Sequence, residues 1–158
     1  MVRYSNPARA RCRCGAVQLE VKGAITRFYC HCGICQRLNN APYGEPVFAW
    51  RWDVAVNDPS QLTWKRHRRT PINVNRGTCR TCGTLILEHL ALSPVSIVIA
   101  STWENKELLP PSQGHAFYET RVADIEDDLP KRSGYVSSQL AVTKWLATAA
   151  LQGDTQGP

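Results

Sequence analysis

The sequence has no long hydrophobic run, and this absence excludes a transmembrane helix. A membrane span needs about 20 consecutive apolar residues. The best run in this chain of 158 residues, at positions 95–100, already contains a serine. Residues 1–7 likewise hold no apolar stretch of signal-peptide length. We therefore expect a protein that has no membrane partner and lies in the cytoplasm, where cysteine thiols stay reduced.

Linkers and helix-forming segments are also scarce. No stretch rich in Gly, Ser or Pro divides the chain, which predicts one domain over residues 1–158. Helix signal is confined to a short turn at 33–38 and to a segment at 138–151 that has a broad apolar face. We expect this second segment to be a C-terminal helix.

Most of the remaining pattern is typical of strands. Val17, Leu19 and Val21 alternate with polar residues, and residues 27–30 are predicted to be the hairpin partner of this strand. Further short apolar runs are separated by turn residues such as 57–59. Many short strands and one late helix predict a mainly β fold, either a sandwich or an open barrel.

Acidic side chains are few relative to basic ones. The chain has 19 Lys and Arg residues against 13 Asp and Glu residues, which gives a formal charge of +6. The excess lies in residues 1–82, which carry +10, whereas residues 83–158 carry −4. Taken alone, the positive charge indicates an anionic partner such as a nucleic acid or an acidic metabolite.

Seven cysteines stand in three close groups. Cys12 and Cys14 form a C-x-C pair, and Cys79 and Cys82 form a C-x-x-C pair that is followed by glycine. Each pair can place two sulfur atoms on one ion, because residues i and i+2 share a face of an extended chain and a C-x-x-C turn brings its ends together. Four thiolates make a closed tetrahedral site, so we predict a structural zinc held by these four cysteines.

The third group, Cys30, Cys32 and Cys35, supplies only three thiolates. Catalytic zinc sites keep one position open for water or substrate, so this triplet predicts a catalytic zinc and a total of two zinc ions per chain. His31 is disfavoured as the fourth ligand, because its side chain should point away from those of its neighbours on an extended segment.

Two alternatives stay open for this triplet. Either His115 or His89 would close the site from a distance, or Cys32 and Cys35 would form a redox-active pair. An open site also has two modes of action: it can bind a substrate thiol as a thiolate or polarise a carbonyl oxygen. Because three thiolates already donate much charge to the ion, we favour capture of a thiolate.

The order and spacing of the three groups resemble one known family. The segments 12–17 (CRCGAV), 30–35 (CHCGIC) and 79–84 (CRTCGT) are similar to those of the glutathione-dependent formaldehyde-activating enzymes, also called the centromere protein V type. The likeness covers about residues 9–131 and includes a late D-L-P element that ends at Pro130. A tryptophan that usually precedes this element in the family is absent here, and this difference would affect the details of the substrate pocket.

The resemblance implies a fold and an activity. The fold would be a β-tent of stacked antiparallel sheets with two zinc ions, extended here by the helix at 138–151. The C-x-C and C-x-x-C pairs would hold the structural zinc, and the C-x-C-x-x-C group would hold the catalytic one. The activity would be that of a carbon–sulfur lyase that resembles S-(hydroxymethyl)glutathione synthase, which joins formaldehyde to glutathione.

Glutathione or another small acidic thiol carries carboxylates, so we expect basic or polar side chains near the catalytic cysteines. Arg37 follows Cys35 by two residues and is the candidate anion clamp. His31 and His115 are further candidates for substrate contact, or else they hold a thiolate and a strand in place. The basic run at 65–69 is a weaker candidate, since charges of this kind also protect an edge strand.

Two other functions fit parts of the sequence. A non-enzymatic zinc module that contacts nucleic acid or a protein partner would explain the basic first half, but it leaves the seventh cysteine without a role. A methionine sulfoxide reductase needs a reactive thiol outside the zinc sites, and none remains. Seven thiolates and two zinc ions would also lower the formal charge to about +3, which disfavours nucleic acid. The apolar helix face around Trp145 is most simply a surface that packs onto the sheets, and it is also a candidate surface for a homodimer.

Overall fold

The computed structural model describes residues 1–69, 72–152 and 155–156, and their side chains except at 67–69, 72 and 155–156. Within these residues the helices are α1 (Gly33–Asn39) and α2 (Tyr135–Leu151). The strands are β1 (Val2–Arg11), β2 (Gln18–Ala24), β3 (Thr26–Cys30), β4 (Pro46–Trp50), β5 (Val54–Val56), β6 (Leu62–Arg69), β7 (Ile72–Cys79), β8 (Leu85–Leu90), β9 (Val95–Ile99), β10 (Ser112–Ala116), β11 (Lys131–Arg132) and β12 (Thr155–Gln156).

The strands form two sheets. The smaller sheet has the strand order β12-β1-β2-β5, and the larger sheet has the order β11-β10-β3-β4-β9-β8-β7-β6. Most neighbouring strands are antiparallel, but the pairs β1–β12, β3–β10 and β10–β11 are parallel. The expected mainly β fold of β-tent type with a C-terminal helix is confirmed, and both sheets are mixed rather than purely antiparallel.

The predicted hairpin between residues 17–21 and 27–30 is wrong. Strand β2 pairs with β1 and β5, whereas β3 pairs with β4 and β10 in the other sheet. The chain changes sheets at Ala24 and Ile25, which are both buried but belong to different hydrophobic clusters. The true partner β1 is hard to recognise as a strand, because Pro7 interrupts it and several of its buried residues are small.

Both faces of the larger sheet are buried in its centre. Along β4, Val47 and Ala49 pack between the two sheets, whereas Phe48 points to the opposite face. The first face forms a cluster with residues such as Leu19 and Trp103, and the opposite face lies against α1 and α2. Burial on both sides explains why β4 and β9 are apolar at nearly every position.

Helix α2 begins at Tyr135, three residues before the predicted start, and ends at Leu151 as expected. The hydroxyl of the buried Ser138 accepts a hydrogen bond from Phe117 N over 2.8 Å and donates to Arg132 O over 3.2 Å. These two bonds attach the first turn of α2 to the ends of β10 and β11.

Neither helix in the described part of the chain is long and apolar enough to cross a membrane.

Gly114 sets how closely α2 approaches the larger sheet. It has a φ of +148°, and a Cβ added to it would lie 2.6 Å from Pro130 O and 2.9 Å from the Trp145 ring. Trp145 in turn packs against Phe28 on β3, with ring centroids 5.7 Å apart. The missing side chain at position 114 therefore makes room for the ring that covers β3.

We expect Gly114→Ala to lower the free energy of unfolding by about 2–4 kcal/mol, because it adds close contacts to an unfavourable backbone conformation. Gly134→Ala is the matched control, since Gly134 also has a positive φ, of +82°, but no atom lies within 4 Å of the added methyl group. The control should cost about 1–2 kcal/mol, the lower part of the range for a residue held in a sparsely populated backbone region. Urea unfolding followed by tryptophan fluorescence measures both, and equal losses would mean that the contact with Trp145 does not constrain α2.

Candidate metal centres and the adjoining cavity

The four cysteines predicted to hold a structural metal lie together. The sulfur atoms of Cys12, Cys14, Cys79 and Cys82 are all within 4.8 Å of one another. The Cys14 sulfur lies 3.5 Å from that of Cys12 and 3.7 Å from that of Cys79. Four sulfur atoms about 2.3 Å from a tetrahedral zinc would be about 3.8 Å apart. The cluster therefore has the size of a closed zinc site.

Two similar turns bring these four sulfur atoms together. In the first turn Gly15 N donates to Cys12 O, and in the second Gly83 N donates to Cys79 O, both over 2.9 Å. The glycines have positive φ values of +80° and +70°, which glycine adopts with little strain. The Arg13 side chain links the turns, because it donates to a carbonyl oxygen of the second turn over 3.1 Å.

Cys30, Cys32 and Cys35 form a second cluster, whose sulfur atoms also lie within 4.8 Å of one another. Cys30 ends β3, and Cys32 is the N-cap of α1, where its sulfur accepts a hydrogen bond from Cys35 N over 3.4 Å. The sulfur atoms of Cys30 and Cys35 are 3.3 Å apart. The corner between β3 and α1 thus gathers all three thiols.

The second cluster concentrates its negative charge on Cys32. Hydrogen bonds from the thiols of Cys30 and Cys35, supported by backbone N–H groups at the start of α1, lower the pKa of Cys32 to about 2. The contact with Cys32, together with burial, raises the pKa of Cys30, and the contacts with Cys30 and Cys32, together with burial, raise that of Cys35. A bound metal cation would release the remaining two protons, because a coordinating thiol is deprotonated.

Among the described residues, no fourth His, Cys, Asp or Glu joins the second cluster. His115 is hydrogen-bonded to His31 and Asp127, and His89 is hydrogen-bonded to Ser96 over 2.9 Å. Neither distant histidine therefore closes the site. A metal ion held by the three thiols would keep a coordination position that no described side chain of these types fills.

The three cysteines of the second cluster line a cavity of about 470 Å³. Arg37, the predicted anion clamp, lies in the wall of the same cavity. The rest of the wall comes from the larger sheet, α1, the residue after β10, and α2, and much of it is apolar. Its large apolar side chains include Phe28, Phe48, Ile97, Phe117 and Tyr135.

A buried ion pair that sequence patterns did not reveal lies in the same wall. Arg76 on β7 and Glu88 on β8 are direct cross-strand neighbours, and Arg76 Nε is 2.6 Å from Glu88 Oε1. The two side chains are only 12% and 10% exposed. Burial raises the pKa of Glu88, and the positive charge of Arg76 opposes this rise. No sequence spacing relates Arg76 and Glu88 to the cysteines. Only the register between β7 and β8 places the pair in the cavity wall.

His31 and His115 lie behind the thiols and are not among the residues that line the cavity. Both are buried, and His31 Nε2 is 2.9 Å from His115 Nδ1. His115 Nε2 is 2.8 Å from the carboxylate of Asp127, the residue before the D-L-P element, and this carboxylate also binds Lys131. Burial, and then the positive charges nearby, lower the pKa of His31 to about 4. The His31 ring is therefore neutral at neutral pH.

The backbone of His31 is held as firmly as its ring. Its N–H donates to Ala116 O over 3.0 Å, and its carbonyl oxygen accepts from Gln36 over 2.7 Å and from Thr120 over 2.8 Å. Because His31 stands between two cysteines of the cluster, these bonds and the ring contact with His115 position both sulfur atoms. The geometry thus fits a positioning role for the two histidines better than contact with a substrate.

The basic run at 65–69 lies on β6, the last strand of the larger sheet. Lys65 and Arg66 are exposed, and neither lines the cavity. The side chains of 67–69 lie outside the described part of the chain. An edge strand is where charged side chains discourage pairing with another chain, so the position agrees with the protective explanation of this run.

Comparison with known proteins adds a family to this geometry. A family model described as "Glutathione-dependent formaldehyde-activating enzyme" matches residues 7–120, which include all seven cysteines. A crystal structure of a Rhodobacter sphaeroides protein is similar, with a TM-score of 0.50 and 25% identity, and the match covers 61% of this chain and 88% of that chain. No curated protein matches the sequence.

We expect the zinc-loaded protein to contain two zinc ions per chain when its metal content is measured by mass spectrometry. Cys35→Ser should lose one ion and keep its fold. Cys82→Ser should unfold and lose both ions, because the ion it would help to hold is bound by cysteines from both sheets. Circular dichroism compares the two variants, and equal stability would contradict the division into a structural and an open site.

Proposed function

Because the chain belongs to the family of glutathione-dependent formaldehyde-activating enzymes, we propose that it is a zinc-dependent carbon–sulfur lyase. Its substrates would be an aldehyde and a small acidic thiol such as glutathione or a close analogue. The enzyme would join the two into an adduct or split that adduct again. The observation that carries this proposal is the cluster of three cysteines that lines a cavity and lacks a fourth protein ligand among the described residues.

The two cysteine clusters would have different roles. Cys12 and Cys14 with Cys79 and Cys82 would hold a structural zinc, whereas the cluster that begins at Cys30 would hold a catalytic one. Zinc bound to three thiolates would keep a substrate thiol in its thiolate form. All seven cysteines are free thiols, so the proposal places the protein in the reducing cytoplasm.

The reaction is an addition of a thiolate to a carbonyl group. A bond forms between the thiolate sulfur and the aldehyde carbon while the π electrons of the carbonyl move to its oxygen. That oxygen then takes a proton from water, and the reverse path splits the adduct. The cavity would hold the two reactants side by side and thereby supply much of the acceleration.

Two arginines in the cavity wall would bind the carboxylates of the thiol. Arg37 stands in the last turn of α1, close in sequence to the cysteines. Arg76 is held from one side by Glu88 at 2.6 Å, so its guanidinium is already oriented before a ligand binds. Charged hydrogen bonds of this kind are stronger in a buried wall than in water.

Exchange NMR tests the proposed function directly. The zinc-loaded protein should accelerate the exchange between free formaldehyde and its glutathione adduct, and Cys35→Ser should abolish the acceleration while circular dichroism shows an intact fold. If the wild-type protein with both sites loaded leaves the exchange rate of every aldehyde tested unchanged, the proposed function is wrong.

The buried arginine allows a sharper prediction about the thiol. The double variant R76Q/E88Q removes a cation together with its partner, so no charge stays buried alone. We expect its KM for glutathione to rise about tenfold, the usual effect of losing one charged hydrogen bond, with no change for cysteamine, which has no carboxylate. R66Q, on the exposed edge strand, is the control. Equal effects of the double variant on both thiols would exclude Arg76 from carboxylate binding.

A further inference from the structure

The cavity beside the three thiols has two chemically different ends. Its floor is a row of direct cross-strand neighbours on the larger sheet: Phe48 on β4, Ile97 on β9, Glu88 on β8 and Arg76 on β7. The row runs from apolar to charged along the strand order. Phe48 and Arg76 are three strand spacings apart, which is about 14 Å.

The charged end, formed by Arg76 and Glu88, suits the polar part of an acidic thiol. The opposite end, here called the apolar end, is formed by Phe28, Phe48, Phe117 and Tyr135. Phe28 and Phe48 stack with ring centroids 5.7 Å apart, and those of Phe117 and Tyr135 are 6.1 Å apart. Of these four rings only that of Tyr135 carries a polar group, and the amide of Gln139 lies one turn further along the same helix.

Helix α2 supplies the cover of the apolar end. Tyr135 and Gln139 from its first turns line the cavity, and Trp145 packs against Phe28 from behind. Ser138 fixes this part of the helix by its hydrogen bond with Phe117 N. The helix begins after residue 120, where the match to the family model ends. The apolar end is thus built partly by a segment outside the matched region.

A hydroxymethyl group has two non-hydrogen atoms and would leave most of the apolar end in contact with water. We propose, on the basis of the function proposed above, that the apolar end holds the carbon chain of the aldehyde. The substrate would then be an aliphatic or aromatic aldehyde of about six carbons rather than formaldehyde, and α2 would be the element that selects it. The step is unchanged: sulfur adds to the carbonyl carbon, and the carbonyl oxygen takes a proton from water.

Stable thioethers of glutathione test this inference without any turnover. S-hexylglutathione and S-methylglutathione differ only in the carbon chain that would occupy the apolar end. Each buried methylene strengthens binding about fourfold, so partial burial of five should give S-hexylglutathione at least about thirtyfold tighter binding. Isothermal titration of the zinc-loaded full chain measures both dissociation constants.

Two variants of α2 show whether the selection comes from the cavity. Gln139→Phe places a ring into the cavity wall and should reduce the preference for S-hexylglutathione at least tenfold. Ser137→Phe adds the same ring at an exposed position of α2 that does not line the cavity, and it should keep the wild-type preference. Similar effects of the two variants would overturn the inference.

The outcomes separate this inference from the proposed function. Equal affinity of the wild-type protein for both thioethers, with accelerated exchange of formaldehyde, would overturn the inference and leave the lyase function standing. A strong preference for the hexyl compound that Gln139→Phe removes would support the inference. If the same protein accelerated adduct formation with neither hexanal nor formaldehyde, the lyase function would be wrong, and with it the aldehyde assigned to the apolar end.

Discussion

The sulfur atoms of four cysteines lie together where the two sheets of this protein meet. Cys12 and Cys14 follow β1 of the smaller sheet, whereas Cys79 ends β7 and Cys82 precedes β8 of the larger one. Since Cys79 lies 65 positions after Cys14, an ion that closed this cluster would restrict a large part of the chain. Such an ion would hold β1 against the larger sheet at the edge of the hydrophobic cluster between the sheets, to which Cys12 and Cys79 belong.

Covering one face of the larger sheet leaves its other face for chemistry. The first face packs against β1 and β2, and the second face carries the cavity, the three thiols and α2. Strand β4 illustrates the division, because Val47 packs in the hydrophobic cluster between the sheets while its neighbour Phe48 lines the cavity. A change in the register of this strand by one residue would exchange the two sets of side chains.

Two buried histidines position the three thiols of the second cluster from behind. His31 and His115 are buried and hydrogen-bonded to each other, and the chain of contacts ends at the carboxylate of Asp127. Burial lowers the pKa of His31 to about 4, so its ring carries no positive charge at neutral pH. The segment from Cys30 to Cys32 is therefore held in place by an uncharged ring at this position. The two arginines proposed to bind the carboxylates of the thiol, Arg37 and Arg76, lie on the cavity side.

The sequence by itself determined both sets of cysteines, because ligands one to three residues apart are brought together by local backbone geometry. It also determined the mainly β character and the late helix, through the periodicity of apolar residues. Only the tertiary structure decided that β2 and β3 belong to different sheets and that Arg76 and Glu88 share the cavity with the thiols. The placement of α2 over the apolar end was decided in the same way. These features depend on register and packing between segments far apart in the chain, which no local pattern encodes.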